Sequence, residues 1–460
     1  MMAQIKKNQN TDKKNVNISV MGHVDHGKST LTVRVLHDTG AIPKATIEKY
    51  KKQATAMGKG SFYLAWGMDN LKQQRQRGVT IDYNQKQFET EDVKFTIVDC
   101  PGHRDFIKNA MAGSAQTQAA ILVVAGEKIV DGRPSPLQPQ TKEHAFVLAT
   151  NGISRIIVAI NKCDYWKTEE NYRLKKLQVE KFINLLFPSI TVEYLPVSGL
   201  TGDNVAKKPE YLSWYKGKTL LQALNDLKNL QVELQKPPVF AISQVMKNVK
   251  GAGVVVTGVG YTGVIKKGLK YIIKPINKIT QIKSIEKFHK ALQQAKPFES
   301  VGMVLRGTDK RDLKKGYLIC DINNHPKAVK SFIADIKLYC HPTALWANAE
   351  VMIHLSHHYM ACKVDKIIRV TKMKRDAQGK PKFVEKLEED GTVPKRVDNR
   401  CKARVRFVPK QKFIISTMSE NSKFATFAMR DSNVTIGVGE CIEVTPLDSE
   451  IGLSTSKAAA

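Results

Sequence analysis

The chain has 460 residues, 42% hydrophobic and 25% charged, a globular composition that excludes wholesale disorder and a collagen-like fibre. At about 150 residues per domain, this length predicts about three domains. The formal net charge of +30 favours nucleic acid or a ribonucleoprotein as partner, although a basic protein without a special partner and a protein that binds filaments or membranes remain alternatives.

Residues 1–15 form a basic N-terminal extension without the apolar core of a secretory signal. From residue 16 to residue 235, short apolar runs alternate with stretches of helical spacing. This alternation predicts right-handed βαβ units and a parallel sheet. The predicted strands are residues 16–21, 93–98, 121–125, 156–160 and 192–197, and the predicted helices are residues 44–57, 105–115, 140–151 and 169–186.

The sequence Lys-Pro-Pro at residues 236–238 ends this alternation, and short β segments separated by Gly and Asn turns follow. Regular short strands of this kind predict β-barrels or sandwiches. We place one such domain at residues 236–328, a second at 329–447, and a C-terminal tail at 448–460. Residues 372–398 are charged and punctuated by Gly and Pro, which predicts an exposed hairpin or loop.

Residues 22–29 read GHVDHGKS and match the phosphate-binding pattern GxxxxGK[ST], in the strand-to-helix context that this pattern requires. Its glycines let backbone N–H groups close around phosphate oxygens, and the following helix directs its positive end at the same anion. Lys28 would place its charge on the β and γ phosphates, and the Ser29 hydroxyl would hold Mg²⁺. The predicted phosphate-end residues are Asp25, His26, Gly27, Lys28, Ser29 and Thr30.

Two further loops are candidates for sensing the γ phosphate. Asp99, directly after a predicted strand, would hold Mg²⁺ through water, and the N–H of Gly102 can meet the γ phosphate. Thr80 would bind Mg²⁺ through its hydroxyl and the γ phosphate through its backbone when its loop is ordered, a known switching device. The plainer interpretations are a Pro-Gly turn beside a capping Asp and a Thr that begins a strand.

The sequence NKCD at residues 161–164 follows another predicted strand and indicates guanine. A carboxylate only accepts hydrogen bonds, so Asp164 can pair with the N1–H and exocyclic amine of guanine, whereas adenine would leave Asp164 unsatisfied. Lys162 can cover one face of the base, and Asn161 can tie this loop to the phosphate-binding loop. Backbone contacts to the guanine oxygen would come from Ser198, Gly199 and Leu200 after the next strand.

The seven cysteines are odd in number and include no CxxC pair, so neither a disulfide framework nor a zinc site is expected. This cysteine usage predicts a reduced, cytoplasmic protein. No window offers the roughly 18 or more apolar residues that a membrane helix needs, so no transmembrane segment is predicted.

Several longer stretches resemble the translational GTPases, and in particular the eukaryotic elongation factor one alpha family, over nearly the whole chain. The resemblance implies an α/β P-loop GTPase domain with a mostly parallel sheet, followed by two antiparallel β-barrels. It also implies GTP and GDP as ligands with Mg²⁺, and aminoacyl-tRNA, the ribosome and a guanine-nucleotide exchange factor as partners. The stretches that carry it are residues 46–49, 57–62, 102–109, 214–217, 361–363 and 427–431.

The same resemblance gives roles to three residues near the γ phosphate. His103 would orient the attacking water and help to stabilise the charged transition state, although a lone loop His is more often a surface residue. Val24 and Ile81 match the pair of apolar residues that shield this water until the ribosome engages. Because phosphoryl transfer depends mainly on positioning and electrostatics, a docked ribosome can switch it on.

The chain also departs from the family pattern. Val259 and Tyr261 stand where the family has a cation and a carboxylate beside the terminal adenosine of charged tRNA. Tyr261 could stack on a base or be an ordinary strand residue, and both interpretations stay open. Glu286 and Phe288 still match, so we expect part of the aminoacyl pocket to survive. The sequence also departs from the family pattern at Gln74, at Gln76 and at residues 127–141, which contain prolines.

The last domain carries a cluster of bases. These cations could neutralise phosphates in a strongly salt-dependent way, or they could form a solvated face. The cluster comprises Lys395, Arg396, Arg400, Lys402, Arg404, Arg406, Lys410 and Lys412.

The leading hypothesis is a GTP-dependent elongation factor that delivers aminoacyl-tRNA to the ribosomal A site, with ribosome-stimulated GTP hydrolysis. One rival is a GTPase of termination or ribosome rescue, because residues 198–202 look somewhat like that branch. The other rival is a structural protein that binds actin or other cytoskeletal filaments and keeps the GTP switch, an idea that the altered Val259 and Tyr261 motivate.

Overall fold

The computed structural model of the chain describes residues 13–56, 58, 63–68, 80–153, 155–186, 190–246, 253–287, 290–355, 358–375, 381–388, 391–431 and 434–447. The chain divides into two compact units, Met1–Ala145 with Ile153–Gln231 and Phe146–Gly152 with Val232–Ala460. No helix in the described stretches is long and apolar enough to cross a bilayer. Some of the sequence expectations fall on residues outside these ranges. They concern Gln74, Gln76, Phe288 and residues 57–62 except Gly58.

Up to residue 231, the predicted strands and helices are confirmed, with ends shifted by no more than two residues. One strand, Asn84–Glu89, was not predicted, because its polar sequence buries only Phe88. The strands are β1 Lys14–Met21, β2 Asn84–Glu89, β3 Val93–Asp99, β4 Ala119–Ala125, β5 Arg155–Asn161 and β6 Thr191–Pro196. The α-helices are α1 Lys28–Asp38, α2 Lys44–Ala56, α3 Ile107–Ser114, α4 Pro139–Thr150, α5 Cys163–Trp166, α6 Glu169–Leu186 and α7 Leu220–Asn225, with 3₁₀ turns at Ala65–Gly67, Arg104–Phe106, Glu210–Leu212 and Asp226–Asn229.

The first unit is built on one sheet with the strand order β2-β3-β1-β4-β5-β6. The five strands from β3 to β6 in this order run parallel, and β2 pairs antiparallel with β3 at one edge. The central strand β4 has the sequence AAILVVA and is buried almost throughout, as expected for a parallel sheet covered on both faces. The loops that leave the carboxyl ends of β1, β3, β5 and β6 therefore converge at one edge, where open α/β sheets bind ligands.

Beyond residue 231 the described strands pair only antiparallel. The first group is β7 Val239–Val245, β8 Val254–Thr262, β9 Ile265–Lys266, β10 Lys270–Lys274, β11 Lys278–Lys287, β12 Lys290–Leu292, β13 Gln294–Ala295, β14 Ser300–Arg306 and β15 Leu318–Cys320. The second group is β16 Ala328–Leu338, β17 Leu345–Trp346, β18 Glu350–Leu355, β19 His358–Arg375, β20 Pro381–Glu385, β21 Arg396–Val397, β22 Cys401–Pro409, β23 Phe413–Ile414, β24 Thr426–Asp431 and β25 Val434–Pro446. The helical turns here are α8 Met418–Asn421 and the 3₁₀ segments Lys310–Asp312 and Ser422–Phe424.

Each group closes into a barrel. The first sheet has the order β10-β15-β7-β8-β14-β11-β12, and β10 also pairs with β11. The second has the order β18-β24-β25-β16-β22-β19-β20, and β18 also pairs with β19. The predicted α/β domain followed by two antiparallel barrels is thus confirmed, and so is the hairpin predicted within residues 372–398, which β19 and β20 form. The domain limits at residues 235 and 328 stay predictions.

Tyr261 is a core residue of the second unit. Its ring is 1% exposed and makes edge-to-face contacts with Phe298, at 6.4 Å between centroids, and with Phe424, at 5.4 Å. Val259 on the same strand is fully buried as well. A ring enclosed on several sides cannot stack on a nucleotide base, so the base-stacking interpretation of Tyr261 is wrong and the ordinary strand interpretation holds.

We expect Tyr261→Ala to lower the free energy of unfolding by roughly 3–5 kcal/mol, the usual cost of truncating a buried aromatic ring. Tyr359, which is 54% exposed, is the matched control. Tyr359→Ala should cost no more than about 1.5 kcal/mol, because the main contact it loses is one ring pair, with His354. Denaturant unfolding of the full chain measures both values, and equal losses would contradict the core role of Tyr261.

Candidate functional site

The loop between β1 and α1 packs too closely for side chains at its two glycines. Gly22 has φ 146° and Gly27 has φ 86°, conformations that L residues rarely adopt. A Cβ on Gly22 would collide with the carbonyl oxygen of Val123, and a Cβ on Gly27 with the side-chain amide of Asn161. Both glycines are therefore required by packing and by their backbone conformation.

Lys28 begins α1 and reaches back over this loop, where its Nζ donates to the carbonyl oxygen of His23 at 2.7 Å. An added Cβ on Gly102 would collide with this ammonium group, so the glycine lets the loop after β3 approach it. Burial lowers the pKa of Lys28 to about 8, against the opposing effect of Asp99 and Asp25. Lys28 is therefore charged at neutral pH but close to losing its proton.

Oxygen donors lie where the sequence predicts Mg²⁺. The Ser29 Oγ and Thr80 Oγ1 atoms are 3.4 Å apart, and Asp99 is fully buried at the end of β3. Such donors fit Mg²⁺, which usually takes one or two carboxylates together with substrate phosphates. No group of three or more His, Cys, Asp or Glu in the described ranges is placed to hold a metal ion by itself. A magnesium site here would depend on the nucleotide.

Asn161 joins the phosphate end of the site to the base end. Its buried amide donates to the carbonyl oxygen of His26 at 2.8 Å and accepts from the N–H of Gly199 at 3.0 Å. Its backbone carbonyl accepts from the Trp166 indole at 3.0 Å and from the N–H of Gly126 at 2.9 Å. The predicted tie between the NKCD loop and the phosphate-binding loop is therefore present. Hydrogen bonds from Gly199, Trp166 and Gly126 to Asn161 connect further segments to it.

Asp164 lies in the turn that follows Lys162, which has a left-handed φ of 68°. The Asp164 Oδ1 atom is buried and accepts no hydrogen bond from the described residues. Leaving such an oxygen unsatisfied costs about 1–3 kcal/mol, and the donors of guanine would satisfy it. Lys162 and Leu200 line the same cleft, so the residues present fit a guanine base.

The loop of residues 198–200, which follows β6, is held against α1 by backbone packing. A Cβ on Gly199 would lie 2.9 Å from the backbone nitrogen of Leu31, closer than side chains are found. Arg34 donates to the carbonyl oxygens of Gly199 at 3.3 Å and of Leu200 at 2.5 Å. Ser198 donates its N–H to the carbonyl oxygen of Asp203 at 2.9 Å. The base-end loop is thus positioned by the same helix that begins at Lys28.

These loops enclose a cleft of ≈ 630 Å³, a size typical of small-ligand sites. Sequence reasoning missed Ala65, Gly126 and Tyr165 as lining residues, since none of them belongs to a recognisable phosphate or base pattern. Of the residues it predicted, His26, Asp99 and Gly199 do not line the cleft but support those that do. The predicted lining residues are Val24, Asp25, Gly27, Lys28, Ser29, Thr30, Thr80, Gly102, Asn161, Lys162, Asp164, Ser198 and Leu200.

His103 and Ile81 do not line the cleft. His103 caps the turn Arg104–Phe106, where its Nδ1 accepts from the N–H of Asp105 at 3.3 Å and lies 3.4 Å from the Asp105 carboxylate. The carbonyl oxygen of Ile81 accepts from the Asn109 amide at 2.9 Å. The structure therefore brings Val24 to the cleft but not the other two residues that were given roles in hydrolysis.

Three histidines surround Lys28 without adding charge. Burial lowers the pKa of His26 and of His144 to about 3, and it also lowers the pKa of His23. Lys28 lowers all three further, because a second cation beside it is unfavourable. Sequence reasoning missed His144, which is fully buried on α4 and carries no sequence signal of its own.

Comparison with protein families gives three matches along the chain. The Elongation factor Tu GTP binding domain matches residues 13–230, Elongation factor Tu domain 2 matches residues 253–320, and the GTP-eEF1A C-terminal domain-like family matches residues 331–442. Elongation factor 1-alpha of Methanoculleus marisnigri is 38% identical over 437 residues, 95% of this chain and 98% of that protein. Elongation factor 1-alpha of Thermoplasma acidophilum is 37% identical over 441 residues, 94% of this chain and 99% of that protein.

Solved structures show a similar fold. The GTPase-like domain of S. cerevisiae Ski7, bound to GTP, has a TM-score of 0.70 at 16% identity and is matched over 94% of this chain and 97% of its own. Translation elongation factor SelB from Methanococcus maripaludis, in complex with the GTP analogue GPPNHP, has a TM-score of 0.61 at 20% identity, with 95% and 81% covered. At these identities the likeness shows the fold alone.

We expect the affinity for GTP to fall between about pH 7 and about pH 9. Lys28 has a pKa of about 8 in the free protein, so above that pH a proton must be taken up on binding, at a cost that approaches tenfold per pH unit. Titration with a fluorescent GTP analogue measures this slope. Lys28→Arg is the control, since Arg stays charged throughout, and its profile should be flat even if its affinity is weaker. Identical slopes of GTP affinity against pH for the two proteins would contradict this role of Lys28.

Proposed function

We propose, because this chain belongs to the elongation factor 1-alpha family, that it carries aminoacyl-tRNA in its GTP-bound state to the ribosomal A site and releases it after hydrolysis. The chain is a GTP-dependent translation elongation factor and a translational GTPase. The observation that supports the finer proposal is a cleft whose lining residues fit a guanine nucleotide, in a chain that matches 98% of the length of a relative. We place this activity in the cytoplasm.

The base end of the cleft selects guanine. The Asp164 carboxylate, whose Oδ1 atom is buried, would accept from N1–H and the exocyclic amine, while the stem of Lys162 would cover one face of the ring. Asn161 transmits this contact, because one side chain holds both the His26 carbonyl and the Gly199 N–H. A nucleotide with adenine would bury Asp164 without a donor and would bind much more weakly.

The phosphate end positions the group that is transferred. Lys28 and the N–H groups of its loop would hold the β and γ phosphates, with Gly102 close enough for its N–H to contact the γ phosphate. Ser29, Thr80 and Asp99 would hold Mg²⁺, the last through water. The ion, when bound, neutralises the charge that develops on the phosphate oxygens.

His103 would act as a hydrogen-bond donor in hydrolysis. When its Nδ1 accepts from the N–H of Asp105, the neutral ring carries its proton on Nε2, and a protonated ring carries one there as well. Either form can therefore donate from Nε2 to the attacking water or to a γ-phosphate oxygen. Val24 and Ile81 would shield that water, and ribosome docking would bring His103 into the cleft.

We also propose that a separate guanine-nucleotide exchange factor acts on this protein. A nucleotide held at both ends, by Lys28 and by Asp164, dissociates slowly unless a partner opens one set of contacts. The loops that hold it are joined through Asn161, so disturbing either end would loosen the other. An exchange factor that disturbs the hydrogen bonds of Asn161 would therefore loosen both ends of the nucleotide.

Charged tRNA should bind the protein loaded with a non-hydrolysable GTP analogue much more tightly than uncharged tRNA does. Filter binding with the same tRNA, with and without its aminoacyl group, measures the ratio, and the GDP-loaded protein serves as the control. Equal binding of both tRNAs would end the delivery proposal and favour the rescue or filament alternatives.

His103→Ala should keep its affinity for GTP and lose ribosome-stimulated hydrolysis by roughly 10²–10⁴-fold, the usual contribution of a positioned proton donor or acceptor. Single-turnover hydrolysis with and without ribosomes measures this loss. Asp105→Ala, which removes the carboxylate but not the backbone N–H that His103 caps, is the matched control and should retain most of the stimulation. Unchanged stimulated turnover in His103→Ala would refute the assigned role.

A further inference from the structure

The segment between β4 and α4 contains a run of prolines that the nucleotide site does not use. Residues 133–139 read RPSPLQP and lie within the stretch where the chain departs from the family pattern. Each proline fixes its own φ at about −65° and biases the residue before it towards an extended conformation. Only Leu137 is neither a proline nor followed by one. The local sequence therefore favours a left-handed polyproline helix, which has about three residues per turn.

The exposure of these residues repeats with the same period. Leu137 is 8% exposed, and Pro134, three residues earlier, is half-buried. The remaining five residues of the segment are exposed. They are Arg133, Ser135, Pro136, Gln138 and Pro139. Because a polyproline helix has three edges, this pattern means that one edge rests on the protein and the other two face outward.

Hydrogen bonds hold the segment in place. The N–H of Ser135 donates to the Glu127 carboxylate at 2.8 Å, and the Ser135 carbonyl oxygen accepts from the Gln178 amide of α6 at 2.9 Å. Lys175, also on α6 and 5% exposed, donates to the same carboxylate at 2.9 Å. The extended form is therefore fixed before a partner arrives, and binding would cost little conformational entropy.

Arg133 supplies a cation at one end of an outward edge. The three-residue period places it in line with Pro136 and Pro139. Arg133 forms no ion pair with another residue in the ranges that the structure describes, and the carboxylate of Glu127 is already paired with Lys175. Its charge is therefore available for a carboxylate of a partner, with which a guanidinium makes strong, directed hydrogen bonds.

Stiffening of the loop does not account for this arrangement. Prolines stabilise a loop by reducing the conformational entropy of the unfolded chain, and they do so wherever the backbone fits them. That effect does not require Pro136 and Pro139 to be exposed, or to share an edge with a cation. The alignment of these three residues matches a recognition surface instead.

We propose that residues 133–139 bind in the groove of a polyproline-binding protein domain of the SH3 type. Aromatic side chains of such a groove would receive Pro136 and Pro139, and a carboxylate at its end would pair with Arg133. Domains of this type exploit the preformed polyproline helix, which loses little entropy on binding. The half-buried edge would stay on this protein, so the segment can dock without leaving its place.

The test titrates the full chain, loaded with GDP, into a panel of fluorescently labelled SH3 domains whose aromatic grooves are bordered by carboxylates. Pro136→Ala should weaken the binding seen with the unaltered chain by about tenfold or more, since it empties one pocket of the groove. Arg133→Glu should weaken it by about tenfold or more as well, because it sets two like charges against each other. Neither variant should change the affinity for GTP, which serves as the control for folding.

Pro134→Ala is the matched control, since it also removes a proline from the segment but on the half-buried edge. It should leave binding within about threefold. Equal weakening by Pro134→Ala and Pro136→Ala would reduce the prolines to loop stiffeners and overturn the proposal. Full binding by Arg133→Glu would overturn it too, and so would a failure of every domain in the panel to bind the unaltered chain.

Discussion

The nucleotide site depends on the side chain of Asn161. This buried amide holds the carbonyl of His26 in the phosphate loop and the N–H of Gly199 in the base loop, at 2.8 and 3.0 Å. Gly27 has no side chain because that amide occupies the space where a Cβ would be. The two ends of the cleft are therefore joined through one buried polar side chain, whose hydrogen bonds hold both loops.

Charge is separated between the site and the rest of the chain. Around the phosphate loop, burial lowers the pKa of His26 and His144 to about 3, which leaves Lys28 as the cation that would face the phosphates, with a pKa that burial lowers to about 8. The formal charge of +30 is instead carried on surfaces such as the outward side of β22, where Arg404 and Arg406 are exposed. These exposed cations of β22 are not among the residues that line the nucleotide cleft.

Much of the architecture was predictable because it follows from local patterns. Strand and helix positions in the first unit follow from hydrophobic periodicity, and the nucleotide loops follow from glycine and charge at fixed spacings. The strand Asn84–Glu89 escaped prediction because its burial comes from pairing with β3 and not from its own composition. Tyr261 could not be assigned from the sequence, since a strand Tyr looks the same whether Phe298 and Phe424 enclose it or solvent surrounds it.

The sequence by itself determined the guanine-nucleotide chemistry of this protein, because glycine, lysine and carboxylate at short spacings act through local backbone geometry. Only the tertiary structure decided which side chains work together across the chain. It buried His144 near enough to Lys28 for the lysine charge to lower the histidine pKa, set the Nδ1 of His103 against the N–H of Asp105, and brought Lys366 opposite Arg406 on adjacent strands. Such pairings depend on strand register and burial, which bring together residues that are far apart in the chain. The local spacing of residues in the sequence does not reveal them.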